Sequence, residues 1–191
     1  MALPHDQPTV ATHRAPGSSV LLVPVAVGAA VAIALGVYGR LHEPTAFAIN
    51  ITGFSGTQAV KAWLATGAFL LALVQLVSAL AMERKLSGVI PPPWVRPLHR
   101  WSGRAAVLLT VPVLVHCLYA LGFQSDTPRV LIHSLVACFF YGAFTAKMLL
   151  LTRRGLPGWA IPLVGGVVFT TLVGLWLSSS LWFFTTFGVT L

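Results

Sequence analysis

Six histidines occur in this chain of 191 residues. Two of them, His116 and His133, lie inside long apolar runs, where an ionisable or metal-binding side chain is costly and marks a functional candidate. A neutral imidazole donates from one ring nitrogen and offers the lone pair of the other, so it can ligate a haem iron or a transition metal. His116 falls about seven residues, or ~10 Å, short of the end of the third apolar run, and His133 about five residues, or ~7 Å, past the start of the fourth. The turn Ser125-Asp126-Thr127-Pro128 joins these two runs, so they are antiparallel and their imidazoles reach the same depth. Matched depth on two helices is what a haem with two axial histidines requires. With His42, just past the first run, the same pair alternatively makes three imidazoles for zinc or copper. The plainer expectation is that each histidine hydrogen-bonds a neighbouring helix through Ser, Thr or backbone.

A porphyrin does not fit between helices at the ordinary separation of about 8–10 Å, so a haem here demands that the third and fourth helices splay or stand apart. Pro112, four residues before His116, could kink the third helix outward. Arg129, at the start of the fourth run, is placed to pair a haem propionate. His99, in Pro97-Leu98-His99-Arg100-Trp101, lies roughly 25 Å along the axis from His116 and belongs to the opposite end, where an interfacial, solvated role is the simpler reading. A step of about four helical turns from His116 or His133 reaches Ser102 or Lys147, so no second haem pair is formed. Lys147 can snorkel to the interface or bind a cofactor carboxylate or a lipid head group. Gln75 and Gln124 could add polar contacts, whereas Cys117 and Cys138, both within apolar runs, are read as packing residues.

The elements that must position these groups are all helical. The chain is 57% hydrophobic and 8% charged, with mean hydropathy +0.85, against about 25% charged for soluble domains. Five runs, Ser19–Gly39, Gln58–Met82, Trp101–Phe123, Arg129–Thr152 and Gly158–Ser180, each reach the ~20 residues that cross a bilayer. Glu43-Pro44, Pro91-Pro92-Pro93, the Ser125–Pro128 turn and Arg153-Arg154-Gly155-Leu156-Pro157 separate them. The expectation is an all-α polytopic bundle of about five transmembrane helices: a polar tail, residues 1–18, and one membrane domain, residues 19–191. The first apolar run is long enough for a retained helix rather than a cleaved signal. Arg14, Arg84, Lys85, Arg96, Arg100, Arg104, Arg153 and Arg154 collect at one side and only Arg40, Lys61 and Arg129 at the other. The positive-inside rule then puts the N-terminus inside and the C-terminus outside a cytoplasmic membrane. The net charge of +8 is thereby explained without a nucleic-acid partner.

The residues Leu98-His99-Arg100-Trp101-Ser102-Gly103-Arg104, His116-Cys117 and Leu131-Ile132-His133-Ser134 resemble those of an uncharacterised family of five-span membrane proteins from high-GC Gram-positive bacteria. Further likeness lies in Lys61-Ala62-Trp63-Leu64-Ala65-Thr66, Phe140-Tyr141-Gly142-Ala143-Phe144 and Leu156-Pro157-Gly158-Trp159. More distantly, the placement of His99 and His133 is similar to that in cytochrome b561 and ferric-reductase-like transmembrane proteins. That likeness implies haem b held between helices and electron transfer. The second and fifth runs contain no histidine, unlike the b561 pattern, which limits the expectation to one haem near the outer face.

The resulting expectation is a b-type electron-transfer protein, with His116 and His133 as axial ligands and a membrane quinol or partner redox subunit completing the path. A non-redox anchor or assembly subunit is the alternative. Inverted repeats, midplane carboxylates and broken helix pairs of the transporter kind are absent from the sequence. So is any nucleophile–base pair, phosphate loop or HExxH motif.

Overall fold

The computed structural model describes residues 19–47, 51–86, 88 and 90–191. The polar tail, with Arg14, lies outside the described residues. Five helices are long and apolar enough to cross a membrane: α1 (Ser19–Leu41), α2 (Thr57–Met82), α3 (Val95–Leu121), α4 (Pro128–Leu150) and α5 (Ala160–Phe187). No strand occurs among the described residues. The chain is thus an all-helical protein that reads as a multi-pass membrane protein, its exposed Leu, Ile, Val and Phe side chains facing lipid.

The helix ends follow local chemistry. Thr127 caps α4, its hydroxyl accepting from Val130 N at 3.3 Å, with Pro128 at the first helical position. α3 begins at Val95, earlier than the apolar run at Trp101, because Pro97 falls in the first turn, where a missing N–H costs nothing. α5 runs past Ser180, since Ser178 and Ser179 donate to carbonyls four residues back, at 2.8 and 2.6 Å, and stay within the helix. Two wide, π-type turns interrupt the ladder, His116–Leu121 in α3 and Leu177–Leu181 in α5. The first begins four residues after Pro112.

Across the bundle the packing order is α1, α4, α5, α2, α3, and the π turn of α3 closes back on α1. At that closure the carbonyls of Tyr119 and Ala120 accept from Thr45 N and Ala46 N at 3.4 and 3.1 Å. Gly122, at φ +72°, ends α3, where a side chain would meet the Gly39 carbonyl. α1 and α4 approach most closely at Gly28 and Gly142. A Cβ on either would stand 2.5 Å from the carbonyl oxygen of the other, so only glycine permits this crossing.

Consecutive though they are, α3 and α4 do not pack on each other: no Cα of one comes within 8 Å of a Cα of the other. α2 and α5 fill the space behind them. Tyr141 of α4 spans the gap, its hydroxyl donating to Thr110 O of α3 at 3.1 Å.

Candidate functional site: a cavity between α3 and α4

The gap encloses a cavity of about 340 Å³, within the range of small-molecule sites. Its walls come from α2 (Gln58, Lys61, Ala62, Ala65), α3 (Thr110, Val113, Leu114, Cys117, Leu121), α4 (Arg129, Val130, His133, Ser134, Ala137, Phe140, Tyr141) and α5 (Leu172, Leu175, Trp176, Ser178, Ser179, Trp182, Phe183), closed by Gly122 and Gln124. Aromatic and aliphatic groups line most of it. The polar groups gather toward the end where α2 and α4 begin.

Several of the polar side chains there are held by their neighbours. Arg129 donates from Nη1 to Ser178 O at 2.7 Å and lies over the Trp182 ring, 3.8 Å from its centroid. Ser134 donates to Gln124 O at 3.0 Å. Trp176 donates from Nε1 to Thr66 Oγ1 at 3.0 Å and stacks on Phe69 with centroids 4.5 Å apart. Ser180, fully buried, donates to Ala62 O at 3.0 Å and ties α5 to α2 behind the cavity.

His133 is the imidazole in this cavity. Its Nδ1 is 2.8 Å from Ser178 Oγ, and Ser178 Oγ is 2.8 Å from Gly174 O. With the Ser178 proton on Gly174 O, Ser178 accepts from the Nδ1–H tautomer of His133. This fixes the ring and leaves Nε2 as the nitrogen with a lone pair. A second-shell hydrogen bond of this kind orients histidine ligands in metal sites.

The other sequence candidates fall elsewhere. His116 is 5% exposed but does not line the cavity. Cys117 and Val113, not His116, are the residues of this part of α3 that line the cavity. His116 Nδ1 is buried without a hydrogen-bond partner among the described residues. The expected His116–His133 pair is therefore not assembled across the cavity. His42 stacks between Tyr38 and Tyr119, centroids 4.9 and 4.8 Å away, with Nε2 3.2 Å from Tyr119 O, away from the cavity walls. Among the described residues no group of three or more His, Cys, Asp or Glu is placed to hold a metal ion. At the opposite end, His99 Nδ1 is 2.8 Å from Ser78 Oγ, and Gln75 Nε2 donates to His99 O and to Ser102 Oγ, the latter at 2.7 Å. This network ties α2 to α3, and Gly103 leaves room for the Gln75 amide.

Lys61 and Gln58 are among the cavity residues that sequence reasoning missed, as is Ser178, which holds His133. The available signal was Lys61 itself, one of three cations at the end poor in Lys and Arg.

No curated protein and no solved structure matches the chain. One family model does, over residues 21–191, from the first turn of α1 through α5, so the chain belongs to DUF6529, a family of unknown function.

Proposed function

We propose that this protein is an integral-membrane b-type electron-transfer protein that holds one haem in the cavity between α3 and α4, where His133 Nε2 would hold the iron. The observation that carries this reading is His133 itself: its ring is locked by Ser178, and its free nitrogen belongs to a cavity walled by Phe140, Tyr141 and Trp176. His133 Nε2 is the nitrogen in the lining that would hold a porphyrin iron. A flat aromatic body suits the walls, and Arg129 is held where it can pair a propionate. His116, the other expected ligand, is not among the lining residues.

When bound, the iron porphyrin would supply reversible one-electron chemistry. The chain's own residues position and insulate. Ser178 holds the His133 tautomer, Tyr141 braces α4 against α3 beneath the cavity, and Leu172, Leu175 and Val113 exclude water. On the positive-inside assignment, the cavity lies on the outer side of a cytoplasmic membrane. One haem near one face leaves the electron path incomplete, so a membrane quinol or partner redox subunit would complete it.

The test is a reduced-minus-oxidised visible spectrum of detergent-purified protein expressed with ample haem, with iron porphyrin per chain measured as pyridine haemochrome. His133→Ala should abolish the signal, whereas His99→Ala and His116→Ala should keep it. Absence of haem from the wild-type protein would end this reading. Retention in His133→Ala would overturn the ligand assignment.

A further inference from the structure

The end of the molecule that carries this cavity holds only three cations among the described residues, Arg40, Lys61 and Arg129. Two of the three, Lys61 and Arg129, line the cavity, and Arg40 lies instead along an open groove between α1 and α4. No Asp or Glu lines the cavity, so neither cation finds a carboxylate there. A partly desolvated cation within a membrane is costly and calls for a counter-charge or a polar partner. Arg129 is already braced by Ser178 O and Trp182, which occupy one of its five N–H groups and one ring face. Its remaining donors, with the ammonium of Lys61 and the amide of Gln58, are available to a bound anion. Behind them the walls turn apolar, along Phe140, Leu172 and Trp176.

We infer that Lys61 and Arg129 form a clamp at this end of the cavity for the carboxylate or phosphate head of an amphipathic molecule, whose apolar body lies against the α4 and α5 wall. Haem, with its propionates, is one such molecule, and an anionic phospholipid is another. The clamp concerns the same cavity as the haem reading but stands on the cations, so it survives if haem proves not to bind.

Binding to the purified, detergent-solubilised full chain is measured for two matched pairs. The first is haemin against haemin dimethyl ester, and the second is phosphatidylglycerol against phosphatidylcholine. The charged member of at least one pair should bind about tenfold or more tightly than its neutral counterpart, as expected for charge-assisted hydrogen bonds. Lys61→Gln should erase most of that preference, Lys61→Arg should retain it, and Arg40→Gln, off the cavity, should leave it unchanged. A preference for haemin over its ester identifies propionates as the head group, and a preference within the lipid pair identifies phosphate. Equal binding within both pairs would overturn the clamp, as would a full preference in Lys61→Gln. Equal binding of haemin and its ester, with no lipid preference, would remove the clamp and leave the haem reading standing. A lipid preference with no haemin binding would do the reverse.

Discussion

Replacing Gly142 by valine should detach α1 from the bundle. A Cβ at Gly142 would stand 2.5 Å from Gly28 O and 2.8 Å from Ala32 Cβ, whereas ordinary van der Waals contacts begin at 3.4 Å. Neither neighbour is the flexible tip of a side chain, so the helices themselves must part. A gap of about 1 Å forfeits roughly a quarter to a half of the dispersion attraction across it. Overpacking of this kind typically costs about 1–3 kcal/mol. Since α4 is the main partner of α1, little else resists the separation. At about 2–4 °C per kcal/mol for a chain of this size, the midpoint should fall by about 2–12 °C. A thermal melt read with a thiol-reactive fluorophore suits the case, because Cys138 Sγ lies 3.9 Å from where a Cβ on Gly36 would be, on the side of α4 that meets α1. In a Cys117→Ala background the signal reports Cys138 alone, and Gly142→Val should raise its labelling rate below the midpoint. Gly166→Ala, with nothing within 4 Å of the added carbon, serves as the neutral or mildly stabilising control. A Gly142→Val protein with an unchanged midpoint and unchanged Cys138 labelling would refute the close-crossing argument.

Three further outcomes follow from hydrogen bonds. Ser178→Ala removes the acceptor that holds His133 Nδ1–H, so haemin affinity should weaken by about 10–100-fold in an optical titration while the fold persists. Tyr141→Phe loses the 3.1 Å bond to Thr110 O and should cost about 0.5–1.5 kcal/mol, seen as a small drop in the thermal midpoint. Gln75→Leu leaves His99 O and Ser102 Oγ without their donor and should destabilise the α2–α3 pair by about 1–3 kcal/mol, measured by the same melt, without altering ligand binding in the cavity.

Five spans are legible in the sequence because lipid solvation needs nothing beyond length and hydropathy. Helix ends are less so. The serines 178–180 look like a terminus, but bonding back to their own helix or across to α2 keeps them inside α5. The position of His116 along its helix follows from residue number multiplied by the helical rise. Its direction does not. Each residue turns by about 100°, and the direction that counts as inward depends on which helices are neighbours. That order is non-local: α3 and α4 are joined by a short segment yet flank a cavity, while α1 packs on α4. Lys61 reads in isolation as an ordinary interfacial cation, and only the cavity gives it a ligand-facing role. Gly28 and Gly142 likewise carry no signal until each is seen to be the other's neighbour.

The packing order also sets when the binding site can come into being. Walls from α2, α3, α4 and α5 are all needed to enclose the cavity, and α5 is the last helix to leave the ribosome. An occupant that needs all four walls therefore enters only once α5 is in place. Until then α1, whose partner is the fourth helix to arrive, has to wait in the bilayer as a solitary span. Its apolar surface, continuous with lipid on nearly all sides, equips it for that interval. The cavity in such a molecule is completed in the order in which its walls are made, with α5 closing it behind the other four helices.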